Sequence, residues 1–216
     1  DSGGFAPAPQ LVTHSLNVAP ELIIAKSRTQ NTFNNFNWVV WHKDLTSGNY
    51  LLLNGNGAET GWGDALVSSI GSSSVTFGSD AMMSGEDLNA GSAWASADDY
   101  VAYLFASVEG FSKVGSYTGN GLADGAFVYC GFRPAYILIK ALAGYSWYLF
   151  DSKTATYNVV SNFLQADQNY AEQTYTSLDI TSNGFKFRAT GVGLNGSASY
   201  IFYAVAESPF KYANAR

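Results

Sequence analysis

Charged side chains are scarce in this sequence of 216 residues. They make up 13% of it, whereas hydrophobic residues make up 47%. So large an apolar content excludes a disordered chain, and so few charges predict a surface that is polar without being charged. The residues that take the place of charge are Gly (22) and Tyr (14), together with Asn, Ser and Thr. This mixture is typical of β-strands joined by tight turns.

Basic clusters and long apolar runs are also missing from the sequence. The eleven Lys and Arg residues are scattered along a chain with a formal net charge of −6, so no patch can neutralise the phosphates of a nucleic acid. No apolar run approaches the ~18 residues of a membrane-spanning helix, so we expect a soluble protein without membrane insertion. The chain begins at Asp1 with neither Met nor a signal sequence, which predicts a fragment of a longer polypeptide.

Cysteine and histidine are nearly absent. Cys130 is the only cysteine, so no disulfide framework exists, and its place in the apolar run Phe127–Phe132 predicts a buried structural thiol. His14 and His42 are the only histidines, and His42, at the end of a predicted strand, is expected to form a hydrogen bond at the surface. The sequence contains no motif of nucleophilic, zinc or nucleotide chemistry. We therefore expect no enzyme, no catalytic residue, no cofactor and no metal site.

Carboxylate pairs are the one remaining catalytic route, because polysaccharide cleavage needs two acids about 5–9.5 Å apart. Glu59 and Glu172 occupy equivalent places in the repeat described below, and a cleft would have to bring one of them, or Asp151, close to another acid. Capping of turns is the simpler interpretation of the two glutamates. A polysaccharide depolymerase is therefore the third-ranked hypothesis.

An internal repeat is the strongest signal in the sequence. Four blocks of the first half reappear in the same order in the second half. Chance similarity between apolar strands is the competing explanation, and the common order of the blocks argues against it. The matched blocks are Ala19–Lys26 with Arg133–Lys140, Asn37–His42 with Ser146–Asp151, Tyr50–Leu51 and Ala58–Glu59 with Phe163–Leu164 and Ala171–Glu172, and Tyr100–Ala106 with Tyr200–Ala206.

Period-two alternation and short apolar runs predict an all-β fold. In Phe185–Arg188 the rings fall on one face and the charges on the other, and Asn183–Gly184 before them predicts a hairpin. The runs 136–140 and 200–206 are apolar on both faces, which predicts central strands. We therefore expect two tandem, related β-sandwich-like modules with little helix. Whether they fold separately or pair with pseudo-twofold symmetry stays open.

The repeat divides the chain into four segments. Residues 1–18 form an initial segment, residues 19–113 the first β module, residues 114–126 a Gly-rich connector, and residues 127–216 the second β module. So short a connector predicts that the two modules associate closely.

Aromatic and amide side chains are concentrated in the predicted loops. Rings beside Asn and Asp suit stacking on sugars or gripping a protein surface, because they offer a large contact area at small entropic cost. Core burial is the alternative for each ring, and it is the preferred one for Trp38 and Trp147 in predicted strands. The predicted ligand-binding residues are Trp62, Trp94, Tyr145, Tyr157, Asn169 and Tyr170.

Three segments of the second copy, Gly131–Lys140, Ser182–Arg188 and Tyr203–Arg216, carry a family resemblance. They resemble a module at the C-terminal end of bacteriophage tail and tail-fibre proteins. The segment Tyr100–Gly121, in which Gly115–Gly121 leads into the second copy, looks like the connecting segment of that family. The resemblance covers most of the chain from about Ala19 and includes no catalytic motif. It implies an extracellular place in a virion tail, at the distal end of a homotrimeric fibre.

We therefore expect a tail-fibre tip that recognises a host-surface glycan or protein without catalysis. The first alternative is a purely structural tail or decoration protein that contacts other virion tail proteins. Solvent exposure separates the two hypotheses. An accessible cluster that includes Trp62, Tyr157 or Tyr170 favours recognition, whereas burial of all three favours assembly.

Overall fold

A computed structural model describes residues 10–28, 37–61, 67–77 and 100–208 of the chain. Within these residues every regular element is a β-strand and none is a helix, so the all-β prediction is confirmed. Sixteen strands, β1 to β16 in chain order, form three sheets in this described part. The chain divides into two compact units, the first made of residues 1–53 and 59–105 and the second of residues 54–58 and 106–216.

The first unit contains two antiparallel sheets. A five-stranded sheet has the order β5-β4-β3-β2-β8, and a three-stranded sheet has the order β1-β7-β6. Ile23 from the larger sheet shares a core with Val67, Val75 and Phe77 from the smaller one, which makes this unit a β-sandwich. Its strands are β1 (Gln10–Thr13), β2 (Leu22–Ser27), β3 (Val39–His42), β4 (Asn49–Leu52), β5 (Thr60–Gly61), β6 (Val67–Ile70), β7 (Ser74–Phe77) and β8 (Tyr100–Phe105).

The second unit is built on one antiparallel sheet of eight strands. Their order is β10-β15-β14-β13-β12-β11-β16-β9. A core of buried aromatic and aliphatic side chains lies on one face of this sheet, which we call its inner face. The strands are β9 (Ser112–Thr118), β10 (Phe127–Tyr129), β11 (Pro134–Ala141), β12 (Trp147–Asp151), β13 (Val160–Gln165), β14 (Gln173–Thr181), β15 (Gly184–Phe187) and β16 (Ser199–Ala206).

This sheet curves so strongly that the strands at its two edges approach each other. Tyr117 lies on β9 at one end of the strand order, and Phe187 lies on β15 near the other end. Their rings nevertheless stack, with centroids 5.0 Å apart. Tyr117 also stacks on Tyr200 of the neighbouring strand at 4.8 Å. Offset stacking of aromatic rings therefore fills the inside of the curved sheet.

The central strands are β11 and β16. On β11, Ile137 and Ile139 point into the core, and Leu138 and Lys140 are buried on the outer face. β16 pairs with β11 on one side and with β9 on the other. Burial on both faces explains why these segments are apolar at odd and even positions, so the prediction of central strands is confirmed.

The predicted hairpin is present, with one change. β14 and β15 pair up to Thr181 and Gly184, so the turn consists of Ser182 and Asn183. Gly184 belongs to the strand, where a Cβ atom would overlap the carbonyl oxygen of Val128 on β10. Glycine is needed here because the backbone of the next strand lies so close.

The structure tests the predicted environments of four side chains. His42 is 1% exposed, so the expected surface role is wrong. His42 lies on the same buried face of β3 as Val40, and the half-buried Trp41 lies on the other face. The His42 Nδ1 accepts a hydrogen bond from the Asp44 N–H at 3.1 Å. Burial of Cys130 and Trp147 is confirmed, whereas Trp38 is half-buried and stacks on Tyr103.

The segment predicted as a connector, residues 114–126, includes most of β9. All seven residues of β9 pair with β16. This part of the segment is therefore a strand of the eight-stranded sheet. The module boundaries drawn from the sequence stay a prediction.

Candidate ligand-binding surface

Antiparallel strands place alternate connections of the second unit at opposite ends of its sheet. One end carries the turn 142–146, the loops 166–172 and 188–198, and the segment 119–126. We call these four segments the loop end. The opposite end carries residues 106–111, 130–133, 152–159 and 182–183.

The loop end brings together three of the predicted ligand-binding residues. Tyr145 is 47% exposed and Tyr170 is 63% exposed, and Asn169 beside Tyr170 is exposed as well. Tyr157 is 85% exposed but lies at the opposite end. The five residues of β12 separate the two ends by roughly 16 Å, at ~3.3 Å per residue, so one small ligand cannot contact both. Trp62 and Trp94 lie outside the described residues.

Tyr145 is held in place through its backbone. Its φ of 71° lies in the left-handed region, which is uncommon for a residue with a side chain. The buried ammonium of Lys140 on β11 donates a hydrogen bond to the Tyr145 carbonyl. It also donates to the carbonyls of Gly57 at 2.8 Å and Asn56 at 3.4 Å. One lysine therefore ties the turn 142–146 and residues 54–58 to the sheet.

Burial changes the chemistry of that lysine. The loss of hydration lowers the pKa of Lys140 from 10.5 to about 8, and the opposing effect of the Asp167 carboxylate is smaller. The amine has no exposed surface, so a ligand in solution cannot reach it. We read Lys140 as an anchor for the turn that carries Tyr145.

The loop 188–198 packs closely against Tyr148 and Tyr200 of the sheet. Burial is the main cause of the raised pKa of both tyrosines. Tyr200 donates its hydroxyl to the Val192 carbonyl at 2.6 Å. At Gly193 a Cβ atom would lie 2.5 Å from the Tyr148 hydroxyl, so only glycine lets the loop pack this closely.

Asn195 holds the same loop against the segment 119–126. Its buried amide donates to the Asn120 side chain at 3.0 Å, the Leu122 carbonyl at 2.9 Å and the Ala189 carbonyl at 2.8 Å. Its side-chain oxygen accepts from the Asn120 and Ala126 N–H groups, both at 3.3 Å. A fully satisfied buried amide of this kind fixes the conformation of the two segments it joins.

Asp167 fixes the start of the loop 166–172. One carboxylate oxygen accepts a hydrogen bond from the Trp147 N–H at 2.8 Å, and the other accepts from the Gln168 side chain at 2.7 Å. The exposed pair Asn169 and Tyr170 follows directly. The loop end thus presents exposed aromatic and amide groups on segments fixed by buried hydrogen bonds.

Two residues of this surface were missed by sequence reasoning. Tyr175 is 52% exposed and Val192 is 54% exposed, and a Cβ atom at Gly191 would lie 4.0 Å from the Tyr175 ring. Tyr175 stands in a strand among Gln173, Thr174 and Thr176, all exposed. The uninterrupted polar run around the ring was the signal that it is not a core residue.

The acids considered for catalysis are engaged in local hydrogen bonds. Glu59 accepts from the Thr46 N–H at 2.9 Å and from the Thr46 hydroxyl at 3.0 Å. Glu172 accepts from the Asn162 amide at 2.6 Å, and Asp151 accepts from the Lys153 N–H at 2.6 Å. These are turn and strand contacts of the kind expected for capping.

Metal-binding and membrane-spanning features were sought in the described ranges. Among them, no group of three or more His, Cys, Asp and Glu side chains could hold a metal ion. The same ranges contain no helix long and apolar enough to cross a membrane.

Comparison with known proteins gives a family and no function. The sequence profile of DUF7483, described as a domain of unknown function, matches residues 3–209. No curated protein and no solved structure matches the chain. Because the profile spans nearly the whole sequence, the protein belongs to the DUF7483 family.

Proposed function

We propose that the chain is a non-catalytic binding module at the tip of a bacteriophage tail fibre, where its loop end recognises a glycan or protein of the host surface. The observation that carries the proposal is the exposure of Tyr145 and Tyr170 on segments held by Lys140 and Asp167. Rigid, exposed rings bind with little loss of conformational entropy.

The proposal excludes a depolymerase. Glu59, Glu172 and Asp151 each accept hydrogen bonds from neighbouring groups. A depolymerase needs two carboxyl groups that face each other across a cleft, about 5–9.5 Å apart. These local contacts support a structural role for all three carboxylates.

The test is binding of the full chain to panels of Gram-negative and Gram-positive cells and to polysaccharides extracted from them, with mass spectrometry for cleavage products. We expect binding to one host group without products. Replacement of Tyr170 by Ser should weaken that binding at least about fivefold, the effect of a central aromatic contact.

Tyr157 is even more exposed than Tyr170 and provides the control, because it lies at the opposite end of the sheet. Y157S should bind like the parent chain. Equal loss in both variants would contradict the assignment of the loop end, products would revive the depolymerase, and absence of binding to every cell type would favour the structural alternative.

We also propose that the chain is one β module laid down twice. Strands β2, β3, β4 and β8 and strands β11, β12, β13 and β16 have the same sheet order. The matched residues also pair in the same register, which supports the proposal. The corresponding pairs are Ile23 with Trp41 and Ile137 with Phe150, Ile24 with Tyr103 and Leu138 with Tyr203, and Val40 with Leu51 and Leu149 with Leu164.

The correspondence extends to strands that the sequence comparison did not align. Val75 on β7 pairs with Val12 and Ile70. In the second unit, Phe185 on β15 pairs with Val128 and Ile180 in the same pattern. These pairs support a repeat that begins at β1 in the first copy and at β10 in the second, with β9 as an added strand.

An experimental structure tests the repeat. Superposition of β1–β8 on β10–β16 should bring the paired residues together within about 2 Å, since equivalent registers leave little freedom to the backbone. Strand orders that differ between the two units would contradict the repeat. The pseudo-twofold packing and the homotrimer remain predictions, and analytical ultracentrifugation at several concentrations tests the trimer.

A further inference from the structure

In the described residues of the second unit, the cations near the loop end are buried or paired with carboxylates. The described part of this unit contains six Lys and Arg residues, and each is accounted for by its position or its partner. They are Lys113, Arg133, Lys140, Lys153, Lys186 and Arg188.

Three of these cations lie away from the loop end. Arg133 and Lys153 both contact Glu207 at the opposite end, at 2.8 Å and 3.3 Å. Lys113 lies on β9 opposite Ala204, near the same end. None of the three can contact a ligand held by Tyr145 and Tyr170.

The other three cations are buried or paired. Lys140 is fully buried among backbone carbonyls. Lys186 contacts Asp124 at 2.8 Å, and Arg188 contacts Asp179 at 2.6 Å and Asp124 at 3.7 Å. In the described residues of this unit, two cations thus face two carboxylates, and the net charge of these four side chains is zero.

Carboxylates, in contrast, flank the exposed aromatic residues. Asp167 precedes Asn169 and Tyr170, and Glu172 follows them. Approach of an anionic group to these acids would be unfavourable at neutral pH, because like charges repel and the nearby cations among the described residues are already buried or paired. Hydroxyl groups of tyrosine and the amide of Asn169 remain as the polar contacts.

We infer that the ligand of the loop end is a neutral, hydroxyl-rich glycan and not an acidic polysaccharide. This inference rests on the proposed function and narrows it. Neutral sugars offer C–H faces for the rings of Tyr145, Tyr170 and Tyr175, and their hydroxyls form hydrogen bonds without demanding charge.

The test uses pairs of glycans that share a backbone and differ in charge. Dextran, mannan and chitin oligosaccharides are each compared with their carboxymethyl or sulfated derivatives, alongside intact cells. We expect at least one neutral glycan to bind the full chain and its anionic derivative to bind about tenfold more weakly or not at all. Affinity for the neutral glycan should change less than about twofold between ~50 and ~500 mM NaCl, because no ion pairs are screened.

Charge variants at two exposed positions sharpen the test. Asn169→Lys adds a cation beside Tyr170 and should raise binding to the anionic derivatives relative to the neutral glycans. Tyr157→Lys adds the same charge at the opposite end of the sheet and should keep the preference of the parent chain.

Each outcome separates the two proposals. Equal or tighter binding of the anionic derivatives overturns the neutral-glycan inference and leaves the proposed function standing. Binding to cells but to no glycan also overturns the inference and points to a surface protein as receptor. Binding to neither cells nor glycans overturns both.

Discussion

At the scale of single residues, Lys140 and Lys26 show how matched positions acquire different environments. The two lysines are aligned by the repeat. Lys26 is half-buried and its ammonium lies over the Trp38 ring, 5.3 Å from the centroid, whereas Lys140 is fully buried and donates to backbone carbonyls. The sequence predicted the alignment but not this difference, because residues 54–58, which accept hydrogen bonds from Lys140, are distant from it along the chain.

Lys140→Met should lower the free energy of unfolding by about 1–3 kcal/mol at pH 7. The methionine preserves the apolar stem but leaves the carbonyls of Asn56, Gly57 and Tyr145 without their donor, and buried acceptors without partners are costly. Urea denaturation followed by circular dichroism measures the change. Lys26→Met is the control and should cost less than Lys140→Met, because the Lys26 ammonium is only half-buried. Equal losses in the two variants would contradict the anchoring role of Lys140.

At the scale of elements, close packing between strands decides details that residue patterns leave open. The alternation of Phe185 and Phe187 was sufficient to predict β15 and its hairpin. The turn residues were misplaced by one position, since Gly184 is needed within the strand against Val128 and not in the turn. Glycine has the same signature in a sequence whether it serves a turn or a close approach of two backbones.

Gly184→Ala should destabilise the second unit by about 1–3 kcal/mol, the usual cost of forcing an extra methyl group into a packed site. The new Cβ atom would overlap the Val128 carbonyl and push β10 away from β15. Hydrogen exchange should show faster exchange of the Val128 amide region together with a lower urea midpoint. Gly57→Ala, where a Cβ atom meets nothing within 4 Å, is the control and should change stability by less than about 0.5 kcal/mol. An unchanged midpoint for G184A would show that the strands are less closely packed than described.

At the scale of the whole molecule, burial of tyrosines and of one lysine sets the dependence of stability on pH. Burial raises the pKa of five tyrosines above the ordinary value of 10.0, that of Tyr136 to about 12. The tyrosines of the unfolded chain then ionise at a lower pH than the same tyrosines in the folded chain. Their contribution to the free energy of unfolding is therefore complete below pH 10 and is lost as pH rises through the folded pKa values. The tyrosines are Tyr117, Tyr136, Tyr148, Tyr200 and Tyr203.

Lys140 acts in the opposite direction. Its folded pKa of about 8 lies below its ordinary value of 10.5, so the unfolded state binds more protons between these values and stability gains as pH rises through this window. Burial also raises the pKa of the Cys130 thiol from 9.0 to about 12, so its contribution to stability is lost as pH rises above 9. We therefore expect the free energy of unfolding to rise modestly from pH 8 to 9, to level off between pH 9 and 10, and to fall above pH 10. Urea titrations at intervals of pH from 7 to 11.5 measure this, and Lys140→Met should remove the rise but keep the fall. A fall that begins at pH 8 in both proteins would contradict the assignment.

The sequence by itself determined the all-β class, the central strands, the hairpin and the exposed loop tyrosines. These follow from local alternation, apolar runs and turn chemistry, which act over a few residues. Only the tertiary structure decided that Tyr145 and Tyr170 share one end of a curved sheet while Tyr157 lies at the other, that Tyr175 and Val192 join them, and that the loop-end cations are buried or paired. Those facts depend on contacts such as Asn195 with Asn120 and Lys140 with Gly57, which join segments more than 70 residues apart and which no local pattern specifies.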